Sequence, residues 1–229
     1  LVGHNTIRTA VMGFEERAPS SQELDEMRAI VARCMGEGAF GLSSGLIYVP
    51  GIYATTGELV ELCKVASAHG GFYASHIRGE GKELLSSVGE AASIGEGAHI
   101  PVEISHMKAS GRGNWGKVAD ALKMIDDANR RGIEITFDAY PYTAGMTTMT
   151  TLLPAWALEG GMGELIKRLR DLQARKRIEA ELRGGFSDLA RDLVSDGGES
   201  VLIAHCRSEV NKHLEGRSLL EASRLRGMD

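Results

Sequence analysis

The chain has 229 residues, 43% of them hydrophobic and 25% charged, which is ordinary for a soluble globular protein and leaves enough apolar material for one large domain or two small ones. That composition excludes disorder of the whole, and no apolar run approaches the roughly 18 residues a membrane helix needs. A net charge of -5, with 26 basic residues dispersed among 31 acidic ones, argues against a nucleic-acid partner and for a small-molecule one.

The first residues, Leu1-Val2-Gly3-His4, read as the end of a buried strand, with neither a cationic segment nor a long apolar one before them. The chain lacks an initial Met and stops just after a helical pattern at Arg226-Gly227-Met228-Asp229, so it is expected to be an internal fragment of a longer protein. Ser20 followed by Glu23 is a capping-box signature, and Leu24, Met27, Val31, Cys34 and Met35 then share one helical face that ends at Gly36 or Gly38. A strand over 39–42 runs into a Gly/Pro-containing loop that carries Tyr48. A helix over 56–69 stops at Gly70-Gly71, a strand over 72–77 follows, and a charged loop, Arg78-Gly79-Glu80-Gly81, comes after it. A helix over 83–94, a strand over 102–106, a loop over 108–113, a helix over 115–131 and a strand over 133–140 continue the beat.

Ser43, His76, His106 and Asp138 close successive strands at intervals of roughly 30 residues, the length of one βαβ unit. Repeated singly wound units curl into a barrel whose active site lies at the C-terminal strand ends. A doubly wound open sheet has the same local pattern, but no Gly-x-Gly-x-x-Gly loop opens any helix here. The expected fold is therefore α/β, a partial (β/α)8 TIM-type barrel comprising about half of the barrel over residues 1–146. From Thr147 the beat breaks. Residues 147–199 are expected to form a helical insertion, either a lid or a solvated helix packing the stripe Leu165, Leu169 and Leu172 on the body. A strand over 201–205 should rejoin the barrel body within 200–229. Cys34, Cys63 and Cys206 show no paired spacing and are expected as reduced thiols in a cytoplasmic protein, with an export signal ahead of Leu1 the alternative.

His76 and His106 are the most informative pair. Each follows a serine at the end of an apolar strand, and strands about 4.8 Å apart allow two imidazoles to reach one ion at the ~2.0–2.1 Å distance zinc prefers. The alternative is two rim histidines hydrogen-bonded to loops. A catalytic zinc needs three protein ligands, and no third is obvious from the sequence. Lys108 and Arg78 each stand two residues beyond a histidine and could hold a substrate carboxylate or simply face water. Tyr48, Tyr140 and Tyr142 lie in loops after strands and could line a pocket with hydroxyl donors. Asp138 could ligate metal or accept loop amides as a turn aspartate. His205 and His4 end strands as well, with a structural role expected for both.

Five segments in order resemble the N-acyl-D-amino-acid deacylases, or D-aminoacylases, of the amidohydrolase superfamily. They are Leu1 to Arg8, Gly38 to Tyr48, Tyr73 to Arg78, Glu103 to Lys108 with Asn114-Trp115-Gly116, and Asp138 to Tyr142. The resemblance implies a barrel enzyme, dependent on one or two Zn2+ ions, that hydrolyses the amide of an N-acyl-D-amino acid to a carboxylate and a free D-amino acid. It implies that His76 and His106 are metal ligands, that Lys108 binds the substrate carboxylate, that Tyr48 and Tyr140 line the pocket, and that the stretch after Tyr142 is a lid. Arg78 is assigned beside them to the substrate from its placement after His76. The family's remaining metal ligands would precede Leu1 and its general-base aspartate would follow Asp229, so the chain as given is expected to be catalytically incomplete. Rival readings are a cyclic-amide hydrolase of the dihydroorotase or hydantoinase kind, an aldolase with a Schiff base on Lys108, and a non-catalytic small-molecule-binding barrel.

Overall fold

The computed structural model describes residues 1–228. Five short strands, β1 (Val2–Gly3), β2 (Gly41–Gly45), β3 (Phe72–His76), β4 (Val102–Ile104) and β5 (Ile135–Phe137), form one sheet in the order β1-β2-β3-β4-β5 with every pair parallel. The connections run through helices α1 (His4–Met12), α2 (Ser21–Gly36), α3 (Thr56–Ala68), α4 (Leu84–Ala98) and α5 (Lys117–Arg130). Each of α2 to α5 packs on the next, so the helices make one layer. A doubly wound sheet would reverse its strand order at a switch point. The sequential order observed is that of a singly wound β/α arc, consistent with a partial barrel.

Side chains alternate across a strand, and the register separates the two faces. Leu42, Tyr73, Val102 and Ile135 stand side by side and all four are buried. The next row, Ser43, Ala74, Glu103 and Thr136, is mostly polar and lies on the opposite face. The helices supply the rest of the core through Met27, Val31, Leu59, Leu62, Leu84, Val88, Ile94, Ala121 and Ile125. Helix α2 begins as its sequence predicts: the Ser20 hydroxyl accepts from the Glu23 amide while the Glu23 carboxylate accepts from the Ser20 amide.

Helix α1 has no counterpart among the predicted elements. Its buried face is His4, Ile7, Arg8 and Met12, and two polar residues in that face erase the apolar period a reader looks for. They are tolerated because Glu58 of α3 meets both. Its carboxylate lies 2.8 Å from His4 Nε2 and 2.6 Å from Arg8 Nη1, and Arg8 also donates to the Arg17 carbonyl. All three side chains are essentially inaccessible to solvent.

After β5 the sheet gives way to α6 (Ala155–Leu158), α7 (Met162–Arg170), α8 (Leu172–Arg183), α9 (Asp188–Asp196) and α10 (Leu219–Leu225). Two expectations change here. The charged stripe does not continue through one helix, because Asp171 breaks it and caps the Ala174 amide at 2.7 Å to start α8. Leu165 is buried, whereas Leu169 and Leu172 are exposed. Residues 201–205 do not rejoin the sheet either. Their backbone pairs locally with 216–219 through the antiparallel Leu202–Ser218 bridge, Ile203 N to Arg217 O and Gly216 N to Ile203 O, so those groups are not available to β5. Ala157, Leu165 and Ile178 form a small second core of their own. No helix among the described residues is long and apolar enough to cross a membrane.

The buried triad generates a prediction. Burial opposes ionisation of Glu58, but hydrogen bonds from His4 and Arg8 outweigh it, so the carboxyl titrates below its ordinary value. Its contribution to stability is therefore complete above the unfolded carboxyl pKa of about 4.3 and is lost as the pH falls through the lower folded value. Glu58→Ala, which strands a buried guanidinium, is expected to cost about 3–5 kcal/mol in urea unfolding at pH 7. Glu58→Gln should also flatten the acid limb of the stability profile.

Candidate metal centre

The two histidines converge. His76 is the last residue of β3, and His106 follows β4 in a left-handed conformation with φ of 43°. His76 Nδ1 faces His106 Nε2 at 2.8 Å, the ring centroids being 4.5 Å apart. Asp138 secures this unusual turn: its carboxylate accepts from the His106 amide, its carbonyl accepts from the Met107 amide at 2.9 Å, and its own amide donates to the Ile104 carbonyl at 3.1 Å. Of the two roles open to Asp138, the structure shows the turn aspartate.

A third group joins the pair that the sequence reading left out. Glu80, in the loop after β3, places Oε1 2.9 Å from His106 Nδ1, and ligand atoms of His76, Glu80 and His106 all lie within 4.8 Å of one another. The available signal was a carboxylate four residues beyond His76 in the same rim loop. Lys108 Nζ sits 2.5 Å from the same Glu80 oxygen and 3.1 Å from His106 Nδ1, and it lies 5.2 Å from the centre of the Tyr140 ring. Tyr48 flanks the opposite side, its ring 5.1 Å from that of His76, and its hydroxyl bonds Thr147 at 3.1 Å. Gly45 permits this, since a Cβ there would stand 2.8 Å from the Tyr48 ring. Tyr140 lies 6.4 Å from His106 and 6.3 Å from the exposed Tyr142.

Burial pushes the His76 imidazole down to about 4, with the neighbouring His106 and Lys108 adding to the effect and Glu80 opposing it. The ring is neutral at pH 7, as a ligand must be. Its Nε2 is buried with no hydrogen-bond partner. Two imidazoles meeting at less than a strand spacing, one with an orphaned nitrogen, fit a borderline-soft ion such as zinc.

Arg78 is engaged by other groups. Its guanidinium makes a bidentate pair with Glu90 of α4 at 2.9 Å and donates to the Ile52 and Ala54 carbonyls at 2.8 and 2.9 Å. Planar fork geometry suits this tie between a loop and a helix, and it turns the charge away from the histidines. His4 is buried on Glu58, and His205 is exposed beside Glu215 at 3.2 Å. Neither joins the site.

The insertion reaches the site through α9. Asp188 accepts from the Lys82 amide, lies 3.2 Å from Asn114 Nδ2 and pairs with Arg191 at 2.7 Å. Burial opposes its ionisation, but the Lys82 amide and Arg191 prevail and the carboxyl is held below its usual value. The loop carrying Glu80 is joined to the next one where Ser110 N donates to Glu80 O at 2.7 Å. One aspartate thus clasps both loops.

The two histidines thus meet at adjacent C-terminal strand ends of a singly wound parallel β/α arc. No family model matches the chain. It is 42% identical over 149 residues to a D-aminoacylase of Alcaligenes xylosoxydans xylosoxydans, an alignment that covers 65% of this chain and 31% of that protein. A crystal structure of D-aminoacylase, described as defining a novel subset of amidohydrolases, superposes with a TM-score of 0.70 at 30% identity over 98% of this chain and 38% of its own. The N-acyl-D-glutamate deacylase of Bordetella bronchiseptica, complexed with zinc and a phosphonate mimic of the tetrahedral intermediate, superposes with a TM-score of 0.74 at 26% identity over 100% and 39%. The chain is a homologue of the N-acyl-D-amino-acid deacylases and spans about a third of the length of the curated relatives it matches.

The clasp is testable. A Cβ at Gly81 would land on the Asp188 carboxylate, so Gly81→Ala should release α9 from the rim. Amide hydrogen exchange over 186–198 is expected to quicken at least tenfold while exchange in β2 and β3 stays unchanged.

Proposed function

We propose that the protein containing this chain hydrolyses the amide bond of N-acyl-D-amino acids, adding water to yield a carboxylate and a free D-amino acid, with one or two Zn2+ ions held in part by His76 and His106. The convergence of His76 Nδ1 and His106 Nε2 at 2.8 Å on adjacent strand ends carries this reading. The names of the homologous deacylases supply the substrate class. Bound zinc supplies a Lewis acid for the acyl carbonyl and a water whose pKa falls toward 7.

The chain's own residues then do the positioning. The Lys108 ammonium, held beside Glu80 and over Tyr140, offers charge to the substrate α-carboxylate. Tyr48 and Tyr140 wall the space on either side of the histidines and restrict how the acyl chain and side chain can lie. With the carboxylate fixed at Lys108 and the carbonyl fixed at the histidine pair, the walls decide which configuration at Cα fits. Residues 147–199 serve as the lid, clasped by Asp188. The partner is a small molecule, and the three free cysteines suit the reducing cytoplasm.

Hydrolysis of N-acetyl-D- and N-acetyl-L-amino acids by the whole protein tests the proposal. D-selective turnover abolished by His76→Ala and by His106→Ala is expected, and equal rates on both enantiomers or indifference to both substitutions would refute it. Lys108→Ala should raise KM for the D-substrate about 10- to 100-fold, the loss expected for a hydrogen bond to a charged group of about 1.5–3 kcal/mol.

A further inference from the structure

An imidazole has two nitrogens on diverging sides of its ring, and a group that contacts one cannot share an ion bound at the other. In His106, Nε2 faces His76 at 2.8 Å while Nδ1 faces Glu80 Oε1 at 2.9 Å. Glu80 therefore stands behind His106 relative to the point where the two histidines meet. Although its oxygen is close enough to be counted with the ligand atoms, the side on which it lies belongs to an outer carboxylate.

We propose that Glu80 is a positioning residue: it accepts the Nδ1 proton of His106, fixing the tautomer that leaves Nε2 free for the ion, and it anchors the Lys108 ammonium on the same oxygen. The inference rests on His76 and His106 being the metal pair of the proposed function. The heavy-atom geometry offers two mutually exclusive proton arrangements. In one, Lys108 donates to His106 Nδ1 at 3.1 Å, Nε2 carries the proton, and the face toward His76 is blocked. In the other, His106 Nδ1 and Lys108 Nζ both donate to Glu80 Oε1, at 2.9 and 2.5 Å, and Nε2 keeps its lone pair. The Lys108–Glu80 contact is common to both; the second adds an N–H from His106 Nδ1 to the carboxylate at 2.9 Å, where the first has an ammonium–imidazole contact at the longer 3.1 Å. A ligating histidine almost always donates its other nitrogen to such a partner.

The loop geometry serves the same end. Glu80 O accepts from the Ser110 amide at 2.7 Å, and Asp188 accepts from the Lys82 amide two residues on. The carboxylate is thus held from both sides of its own backbone.

The test has two readouts on the whole protein that contains this chain. Calorimetric titration with Zn2+ should show Glu80→Ala weakening binding about 10- to 100-fold, Glu80→Gln retaining most of the affinity because an acceptor oxygen remains, and His106→Ala losing binding. Long-range 1H–15N spectra of the metal-free, 15N-histidine-labelled protein should show His106 protonated at Nδ1 in the wild type and in Glu80→Gln, and at Nε2 in Glu80→Ala. An unchanged tautomer in Glu80→Ala overturns the proposal whatever the zinc result. Loss of binding in Glu80→Ala as complete as in His106→Ala overturns it in favour of a direct ligand. Absence of zinc uptake by the wild type together with a switched tautomer refutes the metal pair while supporting the hold of Glu80 on His106. Circular dichroism of both Glu80 variants matching the wild type excludes misfolding.

Discussion

The parallel register of β3 with β4 is the constraint on which the site depends. Pairing Ser75 with Ile104 brings the ends of two strands, some 30 residues apart in sequence, to adjacent positions on one rim, because a parallel connection must cross over through a helix and return to the same end. A slip of one residue would turn His76 to the opposite face of the sheet. β3 is tied to β2 on the helix-facing side, where the Tyr73 hydroxyl meets Ser44 at 2.5 Å and burial pushes its phenol pKa up.

Charged residues near the rim divide into two kinds according to what meets them. Arg78 and Lys108 hold equivalent places after their histidines, yet Glu90 and two carbonyls bind the guanidinium of Arg78 into the scaffold, while Glu80 holds the ammonium of Lys108 beside His106. The fork of an arginine needs several acceptors in one plane, and the loop at Ile52 and Ala54 provides them. The point charge of Lys108 instead sits between Glu80, His106 Nδ1 and the Tyr140 ring. The His4, Glu58 and Arg8 cluster is the extreme scaffold case, polar side chains buried because each has its partner.

The insertion has its own small apolar core around Ala157, Leu165 and Ile178 and reaches the sheet by polar contacts instead of a shared hydrophobic layer. Tyr53 donates to the Ala155 carbonyl at 2.8 Å, Tyr48 meets Thr147, and Asp188 clasps the two loops that carry Glu80 and Asn114. Contacts of this kind can be exchanged with water at small net cost, unlike buried apolar surface. Residues 147–199 are thus attached largely through contacts that exchange readily with water.

Much of this was legible without coordinates. Capping residues, apolar periods and glycine stops placed α2 to α5 and β2 to β5 to within a few residues, because those signals are local. The regular spacing of His76, His106 and Asp138 announced a parallel sheet, since only a crossover of that length returns to the same rim. What could not be read depends on contacts distant in sequence. Helix α1 was hidden because its polar face finds its partner Glu58 some fifty residues away. Residues 201–205 have the composition of a strand, and only their local pairing with 216–219 shows that they do not enter the sheet. The sequence by itself determined the β/α order and the two histidines at strand ends. Tertiary structure decided which charges serve the site, joining Glu80 to His106 and diverting Arg78 to Glu90, because a side chain's role is set by the partners that folding places around it.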